Sequence, residues 1–420
     1  MAVLPPFWCR GVLAISVASL LLAHRSTAWQ VATDHIGPGY RICFDWAKKE
    51  GRNAEIADSR KSLVVPDGEH NGDVRKEYEG ALRSYRQSAQ KDPETYLPYV
   101  AATLNNLGIL DSQENRITEA RAKYEEAVKI YHELVQKNSE TYLPDLAAAL
   151  NNLGTLDGDK NRIEESLKIW RELAQKDPET YLPHVATAHN NLGILDSGED
   201  RLNEARKEHA EALKVYRKLA QKDSETYLPY VATMLNHLGI LDSAQNRFNA
   251  ARKEHQEALE IYRKLAPDDP QTYRPYVAAT LNNLGMLDRD KNKIQEALRT
   301  YRDLAQDDPQ TFLPEVAITL NNLGILDSGR NRVEEAQKEY EEALKLYREL
   351  AQKKPEAYLP QVAMTLNNLG LLDRDRNRIT AARKEYEEAL EIYETFAKQD
   401  PEQFSTDVQR VRKLLEELPK

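Results

Sequence analysis

The stretch LNNLGILD at residues 104–111 recurs in close variants along most of the chain and decides the fold. Its glycine falls at Gly108, Gly154, Gly193, Gly239, Gly285, Gly324 and Gly370, with spacings of 46, 39, 46, 46, 39 and 46 residues. A period of this size predicts a solenoid, in which each unit buries its apolar face only against its neighbours. The spacings also repeat after 131 residues, which indicates a duplicated block of three units.

Each unit is predicted to contain two helices. The first is predicted to open at Tyr96-Leu97-Pro98, because proline is tolerated in the first turn of a helix. The second is predicted to begin after Asn115-Arg116 and to end near Lys137. The recurrent glycine lies inside the first helix, where it costs about 1 kcal/mol relative to alanine. We therefore expect the paired helix to approach so closely at Gly108 that a Cβ atom would clash.

Two units are seven residues shorter than the others, as the 39-residue spacings show. Comparison of residues 165–167 with residues 119–128 places the deletion in the second helix. The expected loss is two turns, or roughly 10 Å of helix. The shortened helices should still pack and should leave two notches along one edge of the solenoid.

The repeats divide the chain into four predicted segments. Residues 1–28 carry a 13-residue apolar run and small residues before the predicted cleavage point, and are predicted to be an export signal. Residues 29–72 are an irregular or capping segment, residues 73–403 are the solenoid of seven helix pairs with a leading half-repeat, and residues 404–420 are a capping helix. Thr406 and Gln409 have the spacing of a capping box in that helix. The protein is accordingly expected to be periplasmic or secreted, with anchoring by an uncleaved signal as the alternative.

The helix pairs resemble tetratricopeptide repeats. The resemblance rests on Leu107-Gly108 in the first helix and on Ala120, Tyr124 and Ala127 in the second, and the longer unit is similar to the extended repeats of kinesin light chains and many bacterial proteins. It implies an all-α, right-handed α-solenoid of stacked helix-turn-helix units. It also implies a non-enzymatic scaffold that binds another protein or an extended peptide in its concave groove.

Asparagines are the candidate binding residues. In tetratricopeptide repeats the corresponding face of the first helix lines the concave surface, and an amide both donates and accepts, so it suits a peptide main chain of any sequence. The candidates are Asn105, Asn106, Asn151, Asn152, Asn190, Asn191, Asn236, His237, Asn282, Asn283, Asn321, Asn322, Asn367 and Asn368. The alternative is that one asparagine of each pair bonds the neighbouring repeat and touches no ligand.

An aspartate follows each recurrent glycine by three residues, where the family usually has an aromatic residue. A basic residue lies five residues further on, in the pairs Asp111/Arg116, Asp157/Arg162, Asp196/Arg201, Asp242/Arg247, Asp288/Lys293, Asp327/Arg332 and Asp373/Arg378. The spacing favours a structural ion pair across the turn between the helices. The alternative is a row of carboxylates that meets a basic partner.

Composition and motifs exclude several classes of function. The net charge of −10 argues against nucleic acid as a partner, because phosphate binding needs a basic face. The sequence has no glycine-rich phosphate loop, metal-ligand spacing or nucleophile motif, so we expect no enzyme activity, cofactor, metal or small-molecule substrate. His209 and His255 take the place of Tyr124 and are expected to be packing substitutions. Self-association as a structural element of the cell envelope is the alternative function.

Overall fold

The computed structural model describes residues 71–419. The predicted signal of residues 1–28 and almost all of segment 29–72 lie outside the described residues. Sixteen helices and no strands are found in the described part of the chain. The helices are α1 Asn71–Ala89, α2 Pro93–Gln113, α3 Ile117–Lys137, α4 Ser139–Asp157, α5 Lys160–Lys176, α6 Pro178–Gly198, α7 Leu202–Ala220, α8 Ser224–Ala244, α9 Phe248–Leu265, α10 Pro270–Asp288, α11 Lys291–Asp307, α12 Pro309–Ser328, α13 Val333–Lys353, α14 Pro355–Asp375, α15 Ile379–Ala397 and α16 Pro401–Glu416.

The predicted all-α solenoid is confirmed. The described residues form two compact units, divided between residues 241 and 242. Inside each unit a helix packs mainly on the helices before and after it in the sequence. Even-numbered helices from α2 to α14 are the first helices of the seven pairs, α1 is the leading half-repeat and α16 is the cap. None of the described helices is long and apolar enough to cross a membrane.

The first helices begin earlier than predicted. α2 starts at Pro93, so Pro98 lies inside the helix and the predicted opening at Tyr96-Leu97-Pro98 is wrong. The reason is a stronger start signal upstream, because the Asp92 carboxylate accepts the Thr95 N–H and Pro93 occupies the first turn. The same cap recurs at Asp177, Asp269 and Asp308.

The capping helix corrects a similar prediction. α16 begins at Pro401, three residues before the predicted Phe404. Its N-cap is Asp400, whose carboxylate accepts the Gln403 N–H at 3.0 Å. Thr406 therefore lies inside the helix and does not cap it.

The recurrent glycine does occupy a close contact between paired helices. A Cβ atom on Gly108 would lie 2.6 Å from the Tyr124 ring, and one on Gly324 would lie 2.5 Å from the Tyr340 ring. These distances are far below van der Waals contact, so the aromatic ring of the second helix needs a glycine opposite it. In the short second pair, Ile163 takes the ring's place, 2.8 Å from the corresponding point on Gly154.

The deletion in the short pairs is shared by both helices, contrary to the prediction. Compared with α2 and α3, the second pair has two fewer residues in its first helix, one fewer in the turn and four fewer in its second helix. The missing residues therefore lie around the turn that joins the two helices of the pair. The shortening thus preserves the contact between Gly154 and the second helix.

Candidate functional site

The candidate asparagines bond to one another from one helix pair to the next. In each observed step, the Nδ2 of the second asparagine of a pair donates to the Oδ1 of the first asparagine of the preceding pair. The bonds join Asn152 to Asn105 (3.1 Å), Asn191 to Asn151 (3.2 Å), Asn322 to Asn282 (3.2 Å) and Asn368 to Asn321 (3.1 Å). We call this series of bonds the asparagine ladder. These bonds are the ones expected if one asparagine of each pair bonds the neighbouring repeat. Contact of the asparagines with a ligand stays a prediction.

Exposure of the candidates differs between the two compact units. In residues 71–241 every one of them is half-buried, namely Asn105, Asn106, Asn151, Asn152, Asn190, Asn191, Asn236 and His237. In residues 242–419 Asn283 is half-buried, whereas Asn282, Asn321, Asn322, Asn367 and Asn368 are buried. The later amides are therefore closed off by packing, and the earlier ones reach solvent.

Two acceptor atoms of the ladder are buried without a hydrogen bond. They are Oδ1 of Asn190 and Oδ1 of Asn367. Asn367 belongs to the last pair, and the aligned position in the capping helix is Leu414, which has no side-chain donor. The residue aligned with Asn152 and Asn191 in the fourth pair is His237. The ladder bond to Asn190 is therefore missing where the repeat sequence changes.

The predicted ion pairs across the turn are confirmed at all seven aspartates. Arg162 bonds Asp157 at 2.7 Å, Arg201 bonds Asp196 at 2.6 Å and Lys293 bonds Asp288 at 3.1 Å. The same pairing joins Arg116 to Asp111, Arg247 to Asp242, Arg332 to Asp327 and Arg378 to Asp373. Several of these carboxylates are fully buried, among them Asp111, Asp196 and Asp327. A buried carboxylate needs such a partner, so the aspartates are structural.

A second cation reaches most of these aspartates, and sequence reasoning missed it. It lies 36 residues earlier, on the second helix of the preceding pair. The observed bonds are Arg75 to Asp111 (2.7 Å), Arg121 to Asp157 (2.6 Å), Lys160 to Asp196 (2.8 Å), Arg252 to Asp288 (2.6 Å) and Lys291 to Asp327. The signal was present in the sequence, because the separation stays at 36 whether the pair is long or short. At Asp373 the corresponding residue is Gln337.

His209 and His255 occupy packing positions, as predicted. Both are buried, and the His209 ring faces Gly193 as Tyr124 faces Gly108. Burial lowers the pKa of His255 to about 4, and burial together with neighbouring His237 lowers the pKa of His209 well below its usual range. Among the described residues, no group of three or more His, Cys, Asp or Glu side chains is arranged to hold a metal ion.

Two sequence models, both described as tetratricopeptide repeat, match the chain. One matches residues 184–264, 230–306 and 277–349, and the other matches residues 100–140 and 362–395. Together the matched segments cover more than half of the chain. The chain belongs to the tetratricopeptide-repeat family. No protein with curated annotation matches this tetratricopeptide-repeat chain.

Solved structures similar to this tetratricopeptide-repeat protein include three from different sources. The quorum sensor NprR from B. thuringiensis, in its apo form, has 17% identity and a TM-score of 0.46, with 81% of this chain and 82% of that chain covered. A tetratricopeptide repeat protein from Parabacteroides merdae has 14% identity and a TM-score of 0.38, covering 75% and 97%. BtubC from P. vanneervenii has 20% identity and a TM-score of 0.35, covering 67% and 93%.

Proposed function

We propose that this protein is a non-enzymatic scaffold that binds the main chain of an extended peptide along the asparagine ladder of residues 71–241. The observation that carries the proposal is the difference in exposure. The ladder amides of the first three pairs are half-buried, whereas most of those in residues 242–419 are buried. An amide side chain must reach solvent before it can exchange water for a ligand.

The ladder bond leaves capacity for a ligand. An asparagine amide has two N–H donors and an oxygen that accepts two bonds. In the ladder bond Asn152 donates one N–H to the oxygen of Asn105. Asn152 keeps a second N–H, and the Asn105 oxygen can accept a second bond. The bond also fixes the orientation of both side chains, which reduces the entropy lost when a ligand binds.

Apolar contact is available beside the amides. Ile109 and Ile194 follow the recurrent glycines of the first and third pairs, and both are half-buried. In the second pair the corresponding residue is Thr155, whose hydroxyl accepts a bond from Asn191 at 3.2 Å. A peptide on this face would meet a regular row of amides with small or branched side chains between them.

Peptide binding measured by fluorescence anisotropy tests the proposal. Replacing Asn105 and Asn151 with Ala should weaken binding of extended peptides at least about tenfold, which corresponds to about 1.4 kcal/mol. N-methylation of alternate peptide amides should cause a similar loss, while scrambling the peptide sequence should cause little. The matched control replaces buried Asn321 and Asn367 with Ala, which should lower the melting temperature and leave binding by the folded protein unchanged. Unaltered binding by the Asn105/Asn151 variant would contradict the proposal.

A further inference from the structure

A cleft lies beside the first short helix and is separate from the asparagine ladder. It has a volume of about 570 Å³ and is formed by α5, α6 and α7. Leu167 and Leu192 provide an apolar floor, and charged side chains of both signs surround it. Clefts of this size accommodate small ligands or a few peptide residues. We call it the α5–α7 cleft.

At the corresponding place in four other steps along the solenoid, an ion pair joins neighbouring second helices. An arginine near the end of one such helix donates to a glutamate of the next. The observed bridges are Arg86–Glu126 (2.6 Å), Arg263–Glu296 (2.9 Å), Arg302–Glu342 (2.6 Å) and Arg348–Glu388 (2.5 Å). We call these the helix bridges. Each of them spans the gap from one second helix to the next.

The helix bridge is missing at the α5–α7 cleft, although both of its residues are present. Arg171 and Glu211 are the corresponding pair, with the same 40-residue separation as Arg302 and Glu342. In the described part of the chain Arg171 forms no ion pair, and its Nη2 instead lies 3.0 Å from Nε2 of His189. No ion pair between Arg171 and Glu211 spans the cleft, and both side chains line it.

His189 explains why Arg171 is diverted. Six of the seven pairs have leucine at this position of the first helix, and only the third has histidine. The His189 side chain is buried, and its Nδ1 lies 2.5 Å from Oε2 of Glu208. Because a guanidinium can only donate, Nε2 accepts from Arg171 and Nδ1 carries the proton that is donated to Glu208. The histidine thus holds the arginine against the floor of the cleft.

The duplicated block supplies a natural comparison. Residues 131 positions later repeat six of the ten lining residues, among them Leu298, Leu323 and Glu339 at the positions of Leu167, Leu192 and Glu208. His189 corresponds to Leu320, and there the Arg302–Glu342 bridge is formed. Both blocks have the short second helix, so shortening alone does not break the bridge. Four of the ten lining positions differ between the blocks, and three of these keep polar side chains, namely Glu164/Gln295, Lys168/Arg299 and Glu172/Asp303. The change between Leu320 and His189 is the one that replaces an apolar side chain with a hydrogen-bonding one.

We propose that the α5–α7 cleft is a second binding site, specific for a short peptide segment that carries a carboxylate and a cation on either side of an apolar residue. The carboxylate of the segment takes the place of Glu211 at Arg171, and its cation takes the place of Arg171 at Glu211. The apolar residue covers Leu167 and Leu192. Lys168 and Lys207 also line the cleft and can attract the carboxylate, while Glu164, Glu172 and Glu208 line it beside Glu211 and favour the cation. This site does not depend on the proposed function, because none of the residues that line the cleft belongs to the ladder.

Double-mutant cycles test the bridging part of the proposal. In the unaltered protein, Arg171→Gln and Glu211→Gln should have independent effects on stability. In the His189→Leu background the bridge should form, and the two substitutions should then show a coupling comparable to that of Arg302 and Glu342. Coupling of equal size with histidine and with leucine at position 189 would overturn this part of the proposal.

Isothermal titration calorimetry with blocked tripeptides tests the ligand. N-acetyl-Lys-Leu-Glu-amide should bind one site per chain, and N-acetyl-Gln-Leu-Gln-amide should bind at least about tenfold more weakly. His189→Leu should abolish binding, and Arg171→Gln, which alters an exposed side chain, should weaken it. Leu320→His should add a second site.

The outcomes distinguish this site from the ladder. Binding of the charged tripeptide that survives both His189→Leu and Arg171→Gln would overturn the proposal, as would equal binding of the Gln-Leu-Gln peptide. The Asn105/Asn151 variant should bind the charged tripeptide normally. Loss of tripeptide binding in the Asn105/Asn151 variant, with normal binding in the His189→Leu and Arg171→Gln variants, would show that the cleft is not the site. This conclusion would hold whether or not the Asn105/Asn151 variant binds extended peptides.

Discussion

The residues in the turns between paired helices carry a backbone conformation that most side chains disfavour. Asn115, Asp200, Asn246, Asn331 and Asn377 have φ between 58° and 61° in the long pairs. In the two short pairs the corresponding residues are Gly158, with φ of 67°, and Arg289, with φ of 54°. Asparagine and aspartate tolerate this left-handed region, glycine adopts it freely, and arginine does not.

Arg289→Gly should therefore stabilise the protein by about 1 kcal/mol, because glycine removes the steric cost of the left-handed conformation. The Arg289 side chain is exposed, and its carbonyl, which accepts a bond from Arg330, is retained by glycine. Chemical denaturation measures the change. The reverse substitution at the equivalent position, Gly158→Ala, serves as the control and should destabilise. A lower denaturation midpoint for Arg289→Gly would contradict the assignment of strain.

Glu385 lies near Asp373, the recurrent aspartate at which the second cation is replaced by Gln337. Burial and nearby Asp373 raise the pKa of Glu385 to about 8. An acid whose folded-state pKa lies above its unfolded value destabilises the fold progressively as the pH rises through that interval. In the first pair the aligned residue is Lys123, which donates to Asp111.

Glu385→Lys should raise the stability at pH 8 by about 2 kcal/mol, because it replaces a repulsion with a charge-assisted hydrogen bond to Asp373. The gain should be smaller at pH 5, where Glu385 is protonated in the folded protein. Thermal melting at the two pH values measures the difference. A gain that is equal at both values, or absent, would show that Glu385 does not act on Asp373.

At the scale of the element, the first helices are set by their N-caps. α2, α6, α10 and α12 begin at an aspartate that caps a threonine N–H. α14 is different, because its N-cap is Lys354, which makes no side-chain cap bond. The aligned N–H belongs to Ala357 and donates to the main-chain carbonyl of Lys354 at 3.2 Å, so an aspartate at position 354 would offer it a charged acceptor instead.

Lys354→Asp should stabilise α14 by about 1 kcal/mol, which is the usual value of a side-chain cap. Hydrogen exchange of the Ala357 amide should slow, and the global melting temperature should rise slightly. The matched control is Asp177→Ala, which removes the side-chain cap of α6 and should lower the stability by a similar amount. Unchanged exchange at Ala357 in the Lys354 variant would mean that no cap forms.

The sequence predicted the pairing of helices well and their boundaries less well. Repetition predicted a close approach of the paired helix at Gly108, because a helix-interior glycine repeated seven times needs a packing reason, and the structure identifies the Tyr124 ring as the contact. It misplaced the start of α2, because Pro98 was interpreted as a first-turn proline while Asp92-Pro93 supplied the cap. The sequence could not predict that Asn321 is buried while Asn151 is half-buried. Both belong to the same motif, and they differ only in how neighbouring helices cover them.

At the scale of the whole molecule, buried histidines make stability depend on pH. Burial lowers the pKa of His184 and of His255 to about 4. An unfolded histidine titrates near 6.5, so between pH 6.5 and 4 the unfolded chain binds protons that the folded chain does not. Stability is therefore lost as the pH falls through this window, by about 3 kcal/mol for each histidine.

His184→Tyr should reduce this acid sensitivity. The His184 ring stacks on Trp170 with centroids 4.4 Å apart, and Tyr230 stacks on Tyr216 at the aligned place in the next pair. Tyrosine should keep the stack and remove the proton uptake of the unfolded state. Denaturation midpoints at pH 7 and pH 4.5 measure the slope, which should become shallower. An unchanged slope would mean that His184 does not contribute.

The most direct test of the central claim is an NMR titration that follows the side-chain amides of the ladder during binding of an extended peptide. We expect the Nδ2 resonances of Asn152 and Asn191 to shift in proportion to occupancy, because the peptide main chain bonds the second N–H of Asn152 and the Oδ1 of Asn191, whose two N–H groups donate to Asn151 and Thr155. The resonances of Asn322 and Asn368, which are buried in the same kind of bond, should stay in place. A bound peptide that leaves Asn152 and Asn191 unmoved, or that shifts all four amides equally, would contradict the account.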